Sequence, residues 1–309
     1  MKIFTGSANP KLAQGIAKKL DVKMGDIRIE RFPDGEVSVQ IMENIRGEDV
    51  FIIQPTCQPA NEHLMELLIV IDAMRRASAA RITAVIPYYG YSRQDRKDQP
   101  RVPISAKLVA NLLVTAGANR ILVLDLHAQQ IQGFFDIPVD HLYASTVIVQ
   151  YLRKQNFSNA VVVAPDPGGI KMAHAYSQML NLQLAIIAKQ RKNALEVESY
   201  ELVGHVEGQT AIIVDDMIAT GGTLCEAAAL LKKNGACDIY AVATHALFIT
   251  PALKRLQNSV FNEIIVTDTV PLRNPMDSVP VRVLSVADLL GDAILRIHKN
   301  RSVTSLFKI

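Results

Sequence analysis

The chain has no tryptophan, and only 6% of its residues are aromatic. A core of aromatic stacks is excluded, so packing must rest on aliphatic side chains. Cysteine is scarce as well. Cys57, Cys225 and Cys237 show neither CxxC spacing nor an even count. That excludes a disulfide framework and argues against a thiolate metal site, leaving three free thiols in a reducing compartment. No uncharged apolar stretch approaches the roughly 18 residues of a membrane span. The opening MKIFTGSANPKL interrupts its apolar start with polar residues and a proline, so it does not read as a signal peptide. Charge of one sign is also lacking: 33 basic against 30 acidic residues leave a formal +3. An excess that small gives no reason to expect nucleic acid or a membrane surface as partner. The expectation is a cytoplasmic protein with neither. A Walker-type GxxxxGK[ST] loop is missing too.

What is present is a repeated alternation. The 309 residues, 49% hydrophobic, are enough for one large or two medium domains. Short apolar runs at Val50–Ile53, Ile82–Ile86, Ile121–Leu124, Val161–Ala164, Ala211–Val214 and Ile239–Thr244 read as strands buried on both faces. Helical patterns separate them. Leu64, Leu67, Leu68 and Ile71, for example, fall at i, i+3, i+4 and i+7 and make one apolar stripe. The fold class expected is α/β, with two similar domains that each hold a mainly parallel sheet flanked by helices. The segment from Phe51 to Tyr91 runs strand, loop, helix, strand, and so does the segment from Ala211 to Phe248. That succession predicts a duplication, with domains at 1–143 and 144–290 and a C-terminal segment, 291–309, packing back on the first.

The stretch AIIVDDMIATGGTL, from Ala211 to Leu224, carries the sharpest chemistry. A strand over Ala211–Val214 would deliver Asp215 and Asp216 at its C-terminal end, where open α/β sheets bind ligands. Thr223 and Glu226 have capping-box spacing, which predicts a helix beginning at Thr223 and ending near Asn234-Gly235. The pair Gly221-Gly222 then precedes a helix N-terminus, where free N–H groups and the helix dipole favour an anion. Thr220 and Thr223 add hydroxyl donors. The carboxylates only accept hydrogen bonds and suit sugar hydroxyls or a metal ion. A sugar phosphate satisfies both halves of the stretch. The plainer alternative is a turn that the acids start and the glycines shape.

VDDMIATGGT resembles the ribose-phosphate loop of the type I phosphoribosyltransferase fold. Four further stretches narrow the resemblance: RFPDGEVSVQI (Arg31–Ile41), PYYGYSRQDR (Pro87–Arg96), DLHAQQIQGFF (Asp125–Phe135) and APDPGG (Ala164–Gly169). Together they are similar to the ribose-phosphate diphosphokinase (phosphoribosyl diphosphate synthetase) family over nearly the full length, down to RSVTSLF. The resemblance implies transfer of a diphosphoryl group from ATP to the C1 hydroxyl of ribose 5-phosphate, with Mg²⁺ as cofactor. It implies that Arg93, Gln94 and His127 contact ATP, and that Phe32, Asp34, Gly35 and Glu36 reach the adenine from a neighbouring subunit. His127 and Asp166 would hold the Mg-ATP. Asp125 and His127, two apart, are expected on one face of their strand. Lys189 and Arg191 correspond to a mobile catalytic loop, where cations can meet charge spreading over the transferred phosphates.

The sugar phosphate would meet Arg191, Asp215, Asp216, Ala219, Thr220, Gly221, Gly222 and Thr223. Arg46, Ser78, Ser302 and Thr304 match a regulatory anion site for phosphate or ADP, and a homohexamer is implied. Three positions depart from the family pattern. Ala219 stands where an aspartate is customary, Met172 where an arginine is common, and Thr244–Thr250 replaces a more glycine-rich turn. These departures leave two other readings, a non-catalytic regulatory homologue and a phosphoribosyltransferase.

Overall fold

A computed structural model describes residues 1–155, 157, 159–190, 199–272 and 278–306. The chain divides into two compact units. The first comprises Met1–Tyr143, Thr269–Pro271 and Ser285–Lys308, and the second comprises Ala144–Asp268 and Leu272–Leu284. The first unit runs β1 (Lys2–Thr5), α1 (Pro10–Leu20), β2 (Ile27–Arg31), β3 (Val37–Ile41), β4 (Asp49–Ile53), α2 (Ala60–Arg76), β5 (Arg81–Ile86), α3 (Ser105–Ala116), β6 (Arg120–Leu124) and β7 (Val139–Leu142). The second runs α4 (Ser145–Lys154), β8 (Ala160–Ala164), α5 (Ile170–Leu180), β9 (Gln183–Gln190), β10 (Ser199–Val203), β11 (Thr210–Ile218), α6 (Gly222–Lys233), β12 (Ile239–Ala246), α7 (Ala252–Gln257), β13 (Glu263–Thr267) and β14 (Val281–Leu284). The last helix, α8 (Ala287–His298), belongs to the first unit. It starts before residue 291 because it is one continuous helix lying on α1. A Cβ at Gly291 would come 2.8 Å from Cγ of Lys19, so only glycine allows this approach.

Both main sheets are built from parallel ladders, with one antiparallel pair, β9–β10, at an edge. In the first unit the strand order is β1-β4-β5-β6-β7, and β2–β3 form a separate antiparallel hairpin. In the second the order is β10-β9-β8-β11-β12-β13-β14. The sheets bury their aliphatic runs completely. Ile52, Val85, Leu122, Val162, Ile213 and Val242 are each 0% exposed, as expected of strands covered on both faces. Leu64, Leu67 and Ile71 of α2 are buried in the first core, and Leu68 packs against it partly buried. Among the described residues, no helix is long and apolar enough to cross a membrane.

Each main sheet has its own turning point. From β8 the chain goes out to β9 on one side and returns to β11 on the other. In the first unit an isolated parallel bridge, Ile3 to Met24, occupies the place of β9, and β4 pairs on the opposite side of β1. Crevices at such reversals are where open α/β sheets take ligands. In the first unit the crevice is filled from within. The carboxylate of Glu66, 2% exposed, accepts from Ser7 N–H (2.6 Å), Ser7 Oγ (2.7 Å) and Gln54 Nε2 (2.8 Å). Gln54 Oε1 in turn accepts from Ala8 N–H at 3.0 Å. Gly6 makes this closure possible, since a Cβ there would fall 2.4 Å from Gln54 Oε1.

Replacing Glu66 by alanine takes the carboxylate from the buried Gln54 amide, at about 1–3 kcal/mol, and leaves the donors of exposed Ser7 to water. The Glu66→Ala protein is expected to lose about 1–3 kcal/mol. Urea denaturation would show this as a lower midpoint at unchanged slope. A midpoint equal to the parent's would mean that water replaces the carboxylate and that the plug carries little stability.

Candidate active site

The first unit places Arg93, Gln94 and His127 around one cleft of about 440 Å³, which Asp95, Arg96 and Gln130 also line. Two loops form it. The first leaves β5 through Tyr88 and Tyr89, both buried, the latter donating from its hydroxyl to Ala106 O at 3.0 Å. Gln94 is held at both ends: its carbonyl accepts from Ala106 N–H at 3.2 Å, and its side chain accepts from Ser105 Oγ. The second loop follows β6 and is tied to the first by Gln130 Nε2 donating to Asp95 Oδ2 at 2.7 Å. Two guanidinium groups, an amide and an imidazole at one cleft suit a polyanion with a heterocycle attached.

The expected alternation of Asp125 and His127 on one strand face does not hold. β6 ends at Leu124, and Asp125 takes a left-handed φ of +37°. Its N–H still reaches Leu142 O at 3.0 Å, but the next N–H, that of Leu126, goes to Nε2 of His141 at 3.0 Å. The turn leaves Asp125 buried at 5% exposure, while His127 is exposed at the cleft. His141 was missed in the sequence, because a histidine inside the strand run Val139–Leu142 carries no signal of its own.

Phe32, Asp34, Gly35 and Glu36 lie at the tip of the β2–β3 hairpin, away from that cleft's lining. Gly35 adopts φ +95°, and Glu36 N–H donates to Asp34 Oδ1 at 3.1 Å, which fixes a tight turn. Phe32 is 53% exposed. A large exposed apolar ring on a hairpin tip is a feature of contact surfaces. Arg46 and Ser78 are neighbours through Gly47 N–H, which donates to Ser78 O at 2.9 Å. Ser302 and Thr304 share a hydroxyl contact of 2.8 Å, and Arg296 Nη1 donates to Ser302 O at 2.9 Å.

The second unit gathers Asp166, Asp215 and Asp216 at its turning point. β11 was expected to end at Val214, with both acids beyond it; it runs on to Ile218. The reason is register. β11 pairs with β8 only through Ile213, opposite Val163, but with β12 through Ile218, opposite Ala246. The acids therefore sit on a strand that keeps one neighbour and has lost the other. β8 turns away through Asp166, whose Oδ1 accepts from Gly169 N–H at 3.0 Å. Asp215 accepts from Asp216 N–H at 2.9 Å. Its carboxyl is pushed up to about 8, first by burial, then by the charges of Asp216 and Asp166.

After Ile218 the chain makes the loop Ala219–Thr223. The capping box expected of Thr223 and Glu226 is not formed. Gly221 takes the N-cap position at φ +71°, and α6 starts at Gly222 with no side-chain cap. A left-handed glycine moves the helix start forward by one residue, which makes Thr223 the second helical residue. The first-turn N–H groups are thus not capped by a side chain, as an anion site requires. The helix ends as expected, with Asn234 as C-cap and Lys232 and Lys233 in the last turn. Ala219 contributes its carbonyl, which accepts from Ile249 N–H at 3.1 Å and ties the loop to the segment after β12. Lys189 lies in β9, paired in register with Tyr200 of β10. Arg191 lies outside the described residues.

The N-terminal domain model of ribose phosphate pyrophosphokinase matches residues 1–117, and the phosphoribosyl synthetase-associated domain model matches residues 195–308. The ribose-phosphate pyrophosphokinase of Synechococcus elongatus is 53% identical over 310 residues, covering 100% of this chain and 94% of that protein. The one from Chromobacterium violaceum is 52% identical over 309 residues, covering 99% and 94%. The solved phosphoribosylpyrophosphate synthetase of Mycobacterium smegmatis superposes with a TM-score of 0.92 at 44% identity, covering 97% of this chain and 99% of that one.

Proposed function

This chain belongs to the ribose-phosphate pyrophosphokinase family, and from that premise we propose how its residues divide the work. The reaction joins ATP and ribose 5-phosphate. The sugar's C1 hydroxyl attacks the β-phosphorus and loses its proton. The bond from that phosphorus to the α,β-bridging oxygen breaks. AMP leaves with that oxygen, and 5-phosphoribosyl 1-diphosphate remains.

Arg93 and Gln94 receive the nucleotide, and His127 meets its phosphates at the same cleft. Phe32, Asp34, Gly35 and Glu36 serve the adenine of a neighbouring subunit in a homohexamer; the exposed hairpin tip supports that role. Asp215 and Asp216 accept the sugar hydroxyls, and Thr220, Gly221, Gly222 and Thr223 hold the 5-phosphate. Ala219 serves through its backbone. Lys189 and Arg191 bring positive charge to the transferred phosphates. The observation that carries this reading is the pairing of an acid pair with a helix start that has no side-chain cap, at the reversal between β8 and β11.

The residues fit Mg²⁺. Among the described residues, no group of three or more histidine, cysteine or acidic side chains closes on one point as a metal cage. Mg²⁺ asks for no cage, binding instead through one or two carboxylates, waters and substrate phosphates. Burial first, and then the charges of Asp216 and Asp166, raise Asp215, and this acidic, oxygen-rich place is one that a hard cation would relieve. Asp166 and His127 would hold the Mg-ATP, the histidine through water or phosphate. When bound, the ion neutralises charge across the transferred phosphates.

Arg46, Ser78, Ser302 and Thr304 are the proposed site for regulatory phosphate or ADP, and the cytoplasm is the proposed location. A phosphoribosyltransferase would leave the first unit's cleft without a task. Incubation with Mg²⁺, ATP and ribose 5-phosphate tests the reading: AMP is the expected nucleotide product. Its absence would leave the non-catalytic homologue standing.

A further inference from the structure

Arg255 stands on α7, far along the chain from the ribose-phosphate loop. Its Nη1 donates to Thr220 O at 3.3 Å. The same nitrogen would lie 3.2 Å from a Cβ on Gly222, with Cζ at 4.0 Å, so the guanidinium lies against Gly222. Its charge is also felt one turn into α6, where it pulls the Cys225 thiol down against a larger upward push from burial. The Thr220 carbonyl, the space over Gly222 and the Cys225 thiol thus all lie within reach of one cation. The next residue, Leu256, is 1% exposed and lies 3.4 Å from the Cβ position of Gly221, so α7 is anchored beneath the loop and Arg255 is held in place.

We propose that Arg255 is the specificity-determining residue that makes this site prefer a phosphorylated sugar over the plain sugar. The proposal rests on the reading of Ala219–Thr223 as the phosphate-holding loop. Two effects act together. By engaging the Thr220 carbonyl, Arg255 keeps an acceptor oxygen occupied that would otherwise be free to turn toward the incoming phosphate. By lying against Gly222, it adds a full positive charge to the partial charge of the α6 N-terminus. That charge counts because the carboxylates of Asp166 and Asp216, both close to Asp215 in the same unit, would repel a dianion. A sugar without phosphate gains nothing from either effect.

The test is steady-state kinetics with ribose 5-phosphate varied at saturating Mg-ATP, on the parent and on Arg255→Met, Arg255→Gln and Arg255→Lys. Melting shifts on adding ribose 5-phosphate or ribose accompany it. Arg255→Met is expected to raise KM for ribose 5-phosphate about tenfold, the scale of one charge-assisted contact, with kcat and the KM for ATP within about twofold. The melting shift given by ribose should not change. Arg255→Lys should recover most of the loss. Arg255→Gln, which keeps a donor for Thr220 but no charge, should recover less than Arg255→Lys. An unchanged KM in all three variants overturns the proposal. So does a fall in kcat at constant KM, or a lysine variant no better than the methionine one. If Arg255→Met melts below assay temperature, the lysine and glutamine variants decide alone. A parent protein that makes no AMP and shows no melting shift with ribose 5-phosphate would instead remove the functional reading beneath.

Discussion

Replacing Lys189 by alanine is expected to lower kcat by at least about a hundredfold, with the affinity for ATP changed by less than about threefold. The expectation starts from the strand. Lys189 is the residue before the last of β9, opposite Tyr200, in the antiparallel pair that edges the second unit's sheet. A β-ladder fixes the course of the backbone at Lys189. A preorganised charge donor that meets developing charge is worth roughly 2.7–4 kcal/mol in the transition state, which is about two to three powers of ten in rate. If Lys189 acts there and not on bound ATP, the loss falls on kcat and on kcat/KM alike. Weakened ATP binding with intact kcat would show that Lys189 only binds the nucleotide.

Asp215→Asn should have opposite effects on stability and activity. The carboxyl of Asp215 is raised to about 8 in the folded chain, by burial first and by Asp216 and Asp166 next. Unfolded, it would titrate near its ordinary value of 3.8. The folded state therefore holds a proton that the unfolded state has lost between those two values. Stability from this group is present at low pH and drains away as pH rises toward about 8. Asparagine removes the titration. The variant should match the parent near pH 4 and melt roughly 2–8 °C above it at pH 9, since about 1–2 kcal/mol of charge burial is relieved and each kcal/mol shifts the midpoint by roughly 2–4 °C in chains of about 150–250 residues. Activity should fall, because a carboxylate acceptor for a sugar hydroxyl is lost, a change of roughly tenfold to a hundredfold in kcat/KM for ribose 5-phosphate. Melting curves at pH 5, 7 and 9 would check the first half. A stability difference that does not grow with pH would mean that Asp215 is ionised throughout, and that a bound cation or water offsets the repulsion.

Much of this arrangement is legible in the residues. The buried parallel strands announce themselves as continuous aliphatic runs, and each run falls within an observed strand. Five of the six begin one residue earlier, and in β4, β5 and β6 that residue is charged: Asp49 and Arg81 are register partners, and Arg81 Nε donates to Asp49 Oδ1 at 2.8 Å. The β2–β3 hairpin was passed over, although Ile27–Arg31 alternates with period two and Asp34-Gly35 is a turn signal. Two misplacements share one cause. Capping-box spacing pointed to Thr223, and period-two spacing put Asp125 and His127 on one face. In each case a single left-handed residue, Gly221 or Asp125, redirected the chain. Linear spacing does not encode such a reversal unless the φ is known. The contributions of Glu66, His141 and Arg255 were out of reach for another reason. Each acts on a loop distant in sequence, and only the topology of the sheets brings them there.

The central claim is transfer of a diphosphoryl group, and it is tested most directly by the fate of labelled phosphate. The chain is incubated with ribose 5-phosphate, Mg²⁺ and ATP carrying distinguishable labels on its β- and γ-phosphorus. Both labels are expected in the sugar product in equal amounts, with unlabelled AMP as the other product. Sugar carrying the γ-label alone, with the β-label retained in ADP, would contradict it.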